Sequence, residues 1–368
     1  MSPDSESSHS DAVEGPSSAV MPPASMGLVE LPIPEPDRNT LFPPNRKHDF
    51  LAMAGSAPFE PSAETFSWVN AWWLAELSLL SYDDPEHVAR HLEPLGFQLP
   101  GEQPLHGSGS TQCYVAVSSS AVIVAFRGTE VLLRTSSRGF ASKAVDVVRD
   151  LMINAKVERL DLDANRWVHA GFAAGLDEVL DAELIPLLDR YGVGRSVWLT
   201  GHSLGGALAT LAAAAVPYAA GVYTFGAPRV GNAAFANSLG VPLWRFVNDA
   251  DLVTTVPPVA PDARMQWLPS GYAHGGTRIH LDDDQAAFDP TPDHAPPELL
   301  TEVVAAVSDP KSTWERFKAA VEESGTGVLD SLSPLAGWQA VKTGFLNHAP
   351  MFYVLKIRNA MVRSLKQR

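Results

Sequence analysis

A serine between glycines is the residue whose surroundings most clearly indicate chemistry. Ser203 lies in the motif GHSLG (residues 201–205), after the apolar run 197–199 and at the start of an alanine-rich stretch. This order of strand, turn and helix predicts a nucleophile elbow, in which the glycines let strand and helix approach closely. The N-terminus of the helix would favour a developing oxyanion. The motif therefore predicts Ser203 as a nucleophile, with the backbone N–H of Leu204 as one oxyanion donor.

Five segments along the chain together carry a family resemblance. They are FRGTE at Phe126–Glu130, VHAGF at Val168–Phe172, TGHSLGGALA at Thr200–Ala209, TFGAPRVGN at Thr224–Asn232 and NDADLVTTVPP at Asn248–Pro258. In this combination the sequence resembles the fungal-type, or class 3, lipase family, from about Phe66 onward. The segment GAPRVGN close behind GHSLGG is the most specific signal, because other α/β-hydrolases share the elbow but rarely the second segment.

The resemblance implies an α/β-hydrolase fold and an acyl-enzyme on Ser203. We expect a lipase or carboxylesterase that hydrolyses carboxylic esters, with acylglycerols as substrates and no metal ion or organic cofactor. A phospholipase A1 or a short-chain esterase is the alternative among enzymes. A catalytically silent lipid-binding protein on the same scaffold is the alternative outside them, although such proteins often lack one of the three catalytic residues.

An acidic residue must orient the base in a serine hydrolase, and in this fold it follows the serine and precedes the histidine. The segment NDADLVTTVPP comes directly after the apolar strand LWRFV, so it forms a loop at a strand end, where functional residues collect. By resemblance the acid is Asp251, which lies 48 residues after Ser203 (251 − 203). Asp249 is the local competitor, and its other role would be that of a turn or cap carboxylate.

Four of the 11 histidines follow Asp251. His274 and His280 lie in a segment that resembles the strand ahead of the family's catalytic histidine, so we expect them to be structural. His294 is preceded by an aspartate, a pair often found at the catalytic position of the family. His348 is followed by a tyrosine and a closing helix, which favours it as the base. Its separation from Asp251 is 97 residues (348 − 251), more than the family usually shows.

The resemblance also implies a second oxyanion donor and a lid. Thr129 in FRGTE matches the hydroxyl residue whose N–H and Oγ both reach the oxyanion. Residues 131–148 lie where the family places its lid, and their interleaved apolar and basic residues suit a mobile cover, although a plain surface loop and helix fits them equally well. His202 and His169 are expected to be packed, hydrogen-bonded histidines rather than further bases.

Composition divides the chain near residue 60. Residues 1–60 hold 10 of the 30 prolines, begin with a serine-rich stretch and are acidic. Such a segment cannot bury enough apolar surface to offset the loss of chain entropy, so we expect a disordered or loosely packed arm, of which the part near Leu41, Phe42 and Phe50 could pack on the domain. Residues 61–368 are expected to form the catalytic domain, with a helical insertion near residues 296–343.

Patterning within the catalytic domain predicts its layers. Apolar residues at helical spacing from Phe66 to Leu80 predict a long amphipathic helix. The runs 114–117 and 121–126, joined by three serines, predict a hairpin. Further apolar runs alternate with helical patterns, and this alternation predicts a mostly parallel central sheet covered by helices on both faces.

Charge and apolar content restrict the partners of the protein. The net charge of −15, from 27 basic and 42 acidic residues, argues against nucleic acid and against electrostatic capture by anionic lipid. Contact with a lipid–water interface would therefore depend on apolar side chains. No apolar run is long enough for a transmembrane helix, and the first thirty residues do not resemble a secretory signal. We expect a cytoplasmic protein, or one exported by a route that the sequence does not show.

Overall fold

The computed structural model describes residues 27–106, 111–128, 159–257, 259, 271–282, 286–289, 343–344 and 346–368. Several of the sequence predictions concern residues outside these ranges. They are the predictions for Thr129, for the lid candidate 131–148, for His294 and for residues 296–342 of the expected insertion.

Strands and helices alternate along the described chain. The strands are β1 Leu105–His106, β2 Gln112–Val117, β3 Ala121–Phe126, β4 Arg159–Asp161, β5 Trp167–His169, β6 Ser196–His202, β7 Gly221–Phe225, β8 Gly231–Asn232, β9 Leu243–Asn248, β10 Tyr272–Ala273, β11 Thr277–Leu281 and β12 Ala286–Phe288. The α-helices are α1 Arg38–Leu41, α2 Trp68–Leu80, α3 Pro85–Leu92, α4 Ala170–Asp177, α5 Ile185–Tyr191, α6 Leu204–Ala215, α7 Ala233–Ser238 and α8 Pro350–Lys366. A π-helical turn at Leu180–Leu184 and 3₁₀ turns at Glu93–Leu95 and Val253–Thr255 are also present, and residues 343–344 and 346–348 are helical.

The central sheet has the strand order β1-β2-β3-β6-β7-β9-β11-β12. Its five middle strands, from β3 to β11, run parallel to one another. Strands β1 and β2 at one edge and β12 at the other pair antiparallel, and β2 and β3 form the expected hairpin. A smaller antiparallel sheet has the order β10-β8-β5-β4. The prediction of an α/β-hydrolase fold with a mostly parallel central sheet is confirmed.

Side chains alternate between the two faces of the central sheet, and both faces are covered. Leu199 of β6 lies in one core layer with Leu208 of α6, whereas the neighbouring Trp198 packs in the opposite layer with α2 and α8. The same alternation places Val222 of β7 with Leu199 and Tyr223 with Trp198. Burial on both faces explains why these strands are continuous apolar runs in the sequence.

Helix α2 is not the amphipathic helix that the sequence predicts, because it is buried all round. Every residue after Trp68 is buried, including the polar Asn70 and Glu76. One side lies on the sheet, where the Thr200 hydroxyl donates to the Leu74 carbonyl oxygen at 3.1 Å. Helix α8 covers another side. The polar residues that suggested a solvent-facing side are hydrogen-bonded inside the protein, and Glu76 accepts from the Trp72 indole N–H at 3.0 Å.

Residues 27–57 pack on the α/β domain, including the part near Leu41, Phe42 and Phe50 for which the sequence left packing open. Phe50 and Met53 are buried in the same core layer as α2. Nearer the N-terminus, the Asn359 side chain on α8 exchanges two 2.8 Å hydrogen bonds with the backbone of Leu31. Average composition misses these contacts because a few apolar residues in a proline-rich segment are enough to anchor it.

Removal of the Met53 side chain measures how far the core extends before residue 61. Met53 is fully buried, so Met53→Ala would leave a cavity and lower the free energy of unfolding by about 2–5 kcal/mol. Urea unfolding of the two variants gives this value, with Val193→Ala, at an 81% exposed position, as the control that should stay within about 0.5 kcal/mol of wild type. Equal stabilities of both variants would show that residues 50–57 are not part of the cooperative core.

Candidate active site

Ser203 lies at a sharp turn between β6 and α6. Its backbone has φ 57° and ψ −127°, a positive φ that residues other than glycine rarely adopt. A Cβ atom at Gly201 would lie 2.3 Å from the Gly205 backbone, and one at Gly205 would lie 2.2 Å from the Phe126 carbonyl oxygen. Both obstacles are backbone atoms, which cannot give way as a flexible side chain can. The two glycines are therefore required for the elbow, and the elbow geometry expected from GHSLG is present.

Three side chains meet in one line of hydrogen bonds at this elbow. His348 Nε2 lies 2.9 Å from Ser203 Oγ. On the other side of the ring, Nδ1 lies 2.9 Å from Asp251 Oδ2 and 3.1 Å from Oδ1. The Ser203 and Asp251 side chains are buried, and the His348 side chain is 12% exposed. The structure thus brings together the serine, histidine and aspartate named from the sequence.

The arrangement determines the proton positions on the imidazole. The Asp251 carboxylate accepts, so His348 Nδ1 carries the hydrogen and Nε2 presents a lone pair to the Ser203 hydroxyl. In this tautomer the ring can take the serine proton while the carboxylate stabilises the resulting imidazolium. The geometry is that of a nucleophile, a general base and an orienting acid.

Two donors hold the Asp251 carboxylate in place. The Tyr353 hydroxyl donates to Oδ2 at 2.6 Å, and the Val253 backbone N–H donates to Oδ1 at 2.9 Å. The Asn248 N–H in turn donates to the Tyr353 oxygen at 3.0 Å. In the sequence, Tyr353 indicated only the context of His348. No local pattern indicates its contact with Asp251, which lies 102 positions earlier.

The competing candidates in the described part of the chain lie elsewhere. Asp249 is exposed, sits at a positive φ of 47° and accepts from the Asn347 side chain at 3.2 Å. The His274 imidazole lies 2.7 Å from the Thr254 carbonyl oxygen, and burial lowers its pKa well below the ordinary value. His280 lies on β11, with Nδ1 at 3.2 Å from the Arg278 guanidinium. None of the three contacts Ser203.

His169 and His202 are both buried and hydrogen-bonded, as expected. His169 caps α4, since its Nδ1 accepts from the Phe172 N–H at 3.2 Å, and burial lowers its pKa to about 4. Burial and the neighbouring His348 lower the pKa of His202 well below the ordinary value. Both rings are therefore neutral at physiological pH.

The structure describes Leu204, one of the two expected oxyanion donors. Leu204 is the first residue of α6, so its backbone N–H has no partner within the helix and lies beside the nucleophile. The loop that leads to Thr129 begins alongside the elbow, because a Cβ atom at Gly128 would lie 2.7 Å from the His202 carbonyl oxygen. Thr129 itself lies outside the described residues.

Gly226 is a site residue that the sequence analysis did not single out, although it lies in the family segment GAPRVGN. It has a positive φ of 61°, and a Cβ atom there would lie 2.7 Å from Asp251 Oδ2 and 3.0 Å from His348 Nδ1. The space beside this glycine is therefore filled by the aspartate–histidine pair. A glycine directly after an apolar strand was the available signal.

The described residues outside the Ser203 site show no second reactive or membrane-spanning feature. They include no group of three or more histidine, cysteine or acidic side chains that could hold a metal ion. No described helix is long and apolar enough to cross a membrane. Cys113 is buried in β2, and burial raises the pKa of its thiol.

Comparison with known proteins places this site in a family. Residues 123–260, which include the elbow and Asp251, match the family Lipase (class 3). Over these residues the chain is similar to the class 3 lipases. The match contains the FRGTE loop, the elbow and GAPRVGN, and it ends before His348.

Individual relatives cover parts of the chain. Phospholipase A1 EG1 of Oryza sativa subsp. indica is 32% identical over 216 residues, which are 49% of this chain and 49% of that protein. The lipase of Rhizomucor miehei is 36% identical over 130 residues, 32% of this chain and 33% of that protein. The crystal structure of the lipase from Rhizopus microsporus var. chinensis has 27% identity and a TM-score of 0.41, and the match covers 56% of this chain and 68% of that one. The matched part spans about half or less of the length of these curated relatives.

Gly226→Ala tests the packing of the aspartate–histidine pair. The added methyl group would displace Asp251 or His348 by a few tenths of an ångström or more, so we expect kcat/KM for ester hydrolysis to fall about 100-fold or more. Gly240→Ala is the matched control, because nothing lies within 4 Å of a Cβ atom at that glycine. Steady-state kinetics and thermal melts of both variants make the comparison. Full activity of a folded Gly226→Ala protein would contradict this geometry.

Proposed function

We propose that the protein is a serine hydrolase that cleaves carboxylic esters of glycerolipids through an acyl-enzyme on Ser203. The observation that carries the proposal is the line of hydrogen bonds from Ser203 Oγ through His348 to Asp251. All three side chains are well placed without any movement of the chain. The match of residues 123–260 to the class 3 lipase family supports the substrate class.

In the first half of the reaction His348 Nε2 takes the Ser203 proton while Oγ attacks the ester carbonyl carbon. The negative charge on the carbonyl oxygen faces the Leu204 N–H and, by resemblance, Thr129. The imidazolium then gives its proton to the leaving alkoxide, which departs as an alcohol. In the second half His348 takes a proton from water, the resulting hydroxide attacks the acyl-enzyme, and Ser203 recovers its proton as the acid leaves.

Asp251 remains ionised through the cycle and holds the imidazole in one tautomer. Its two oxygens already accept from Tyr353 and Val253, so the carboxylate does not have to reorient when His348 becomes charged. Such preorganised electrostatics is a major source of rate enhancement in enzymes.

Acylglycerols are the substrates that we propose first, at a lipid–water interface. Phospholipase A1 activity is the second candidate, and the name of the rice relative favours it. The net charge of −15 supports neutral or zwitterionic lipids over anionic ones, because like charges repel at a membrane surface. No metal ion has a part in either reaction as proposed.

Removal of the nucleophile and of the base tests the reaction class. Ser203→Ala and His348→Ala should each lower kcat about 10⁴-fold or more, and the double variant should be no worse because the residues act as a unit. Ser120→Ala, in the exposed turn between β2 and β3, is the control and should match wild type. A fluorophosphonate probe should label wild type and Ser120→Ala but not Ser203→Ala.

His294→Ala completes the test because the sequence left that histidine as an alternative base. We expect it to retain activity. An inactive His294→Ala beside an active His348→Ala would overturn the assignment of the base, and labelling of Ser203→Ala would overturn the assignment of the nucleophile.

Substrate class requires a direct comparison of two lipids. We expect release of fatty acid from an emulsified short-chain triacylglycerol to exceed release from phosphatidylcholine vesicles at equal acyl concentration by about tenfold or more, a difference of about 1.4 kcal/mol in transition-state binding. Titration of released acid, with Ser203→Ala as the blank, gives both rates. A preference for phosphatidylcholine at its sn-1 ester would establish the phospholipase A1 alternative instead.

A further inference from the structure

We propose that His202 is a positioning residue, a neutral imidazole that connects the backbone of His348 to Tyr82 and so fixes the distance between the base and the nucleophile. The inference rests on the proposed function of Ser203 and His348. It assigns to the residue before the nucleophile a task beyond the packing that its sequence context suggests.

The contacts of His202 leave neither ring nitrogen free. Nε2 lies 2.7 Å from the carbonyl oxygen of His348, and Nδ1 lies 3.0 Å from the hydroxyl of Tyr82. The rings of His202 and His348 are 4.6 Å apart, with 35° between their planes. His202 is 3% exposed, so water does not compete for these bonds. Both nitrogens are thus occupied by Tyr82 and by the His348 carbonyl, which argues against a role as a second base.

The direction of each hydrogen bond follows from the chemistry of the partners. A carbonyl oxygen only accepts, so His202 Nε2 carries the hydrogen and donates to His348. Nδ1 is then a lone pair, and the Tyr82 hydroxyl donates to it. The Tyr82 oxygen also packs against the loop before Thr129, because a Cβ atom at Gly128 would lie 2.0 Å from it. The chain of donors therefore runs in one direction, from Tyr82 through His202 to the His348 carbonyl.

This chain joins parts of the site that are remote in the sequence. Gly128 immediately precedes Thr129, the expected oxyanion residue, and His202 immediately precedes Ser203. His348 stands at the start of α8, 145 residues after the nucleophile. The contact with Asp251 orients the His348 imidazole. It does not fix the distance between the His348 backbone and the elbow at Ser203. The bond from His202 supplies that constraint, because its own backbone is part of the elbow.

The neutral state of His202 also favours the role of His348 as the base. During catalysis His348 becomes an imidazolium 4.6 Å from this ring, and a second positive charge at that distance would oppose its formation. Burial keeps His202 uncharged, and both of its nitrogens are already used by neutral partners. The residue can therefore hold the base without competing with it for a proton.

Two amide variants at position 202 test the two hydrogen bonds of His202 one at a time. In His202→Gln the side-chain amide reaches the position of Nε2 and keeps a donor for the His348 carbonyl. In His202→Asn the amide reaches only the position of Nδ1 and keeps an acceptor for Tyr82. We expect kcat for a soluble nitrophenyl ester to fall about 100-fold in His202→Asn with KM changed less than about twofold, and to return to within about tenfold of wild type in His202→Gln.

A third variant and a control distinguish a loss of positioning from a loss of folding. Tyr82→Phe removes one hydroxyl and retains the ring, so the protein should fold, and kcat should fall about five- to tenfold, as for the loss of one supporting hydrogen bond of about 1 kcal/mol. His169→Asn alters another buried histidine, the cap of α4, and should lower the melting temperature while kcat stays near that of wild type. The rate at which a fluorophosphonate modifies Ser203 should follow kcat in all four variants.

The outcomes distinguish this inference from the proposed function. Wild type without ester hydrolysis or labelling would overturn both. If wild type is active and Ser203→Ala is not, the proposed function stands, and equal kcat values for His202→Asn, His202→Gln and wild type would overturn the positioning role alone. Equal losses in both amide variants, in proportion to their loss of melting temperature, would also overturn it, as would a Tyr82→Phe protein with the kcat of wild type.

Discussion

The close approach of β6 and α6 is the constraint on which the site depends. No Cβ atom fits at Gly201 or Gly205, so the chain turns within one residue and places Ser203 at a positive φ. That strain is balanced by the burial of β6 in the middle of the sheet, where β3 and β7 flank it. The same turn directs His202 toward His348 and leaves the Leu204 N–H at the helix N-terminus. The proposed positioning residue, nucleophile and oxyanion donor are thus consecutive residues of a single turn.

The other half of the site is assembled by the end of β9 and the start of α8. Asn248 is the connecting residue: its side chain donates to the Asn347 carbonyl oxygen at 2.8 Å, and its backbone N–H donates to the Tyr353 oxygen at 3.0 Å. Asp251 and His348 therefore meet although 97 residues separate them. Long insertions between such anchors cost little, because the entropy of loop closure grows only with the logarithm of loop length.

Local features of the fold and site were predictable from the sequence, and contacts across the fold were not. Strands β2, β3, β6, β7 and β9 and the elbow follow from apolar runs and from glycines at fixed spacing, which act within a few residues. The burial of α2 depends on α8, nearly 300 residues later in the chain, so its polar residues suggested a solvent face. Tyr353 and Gly226 were missed for a similar reason, since each contacts Asp251 only after β7, β9 and α8 have come together. Family resemblance supplied the choice of Asp251 and His348, which spacing alone left open.

The packing of α8 has a consequence for the synthesis of the protein. Helix α8 covers α2, receives residues 29–31 and begins directly after His348, so the elbow and Asp251 leave the ribosome well before the layer that completes them. Until α8 follows, the side of the buried helix α2 that α8 covers has no partner and is available for aggregation or for a chaperone. A nascent chain that ends before residue 348 would also lack the proposed base, so we expect it to have no ester hydrolase activity.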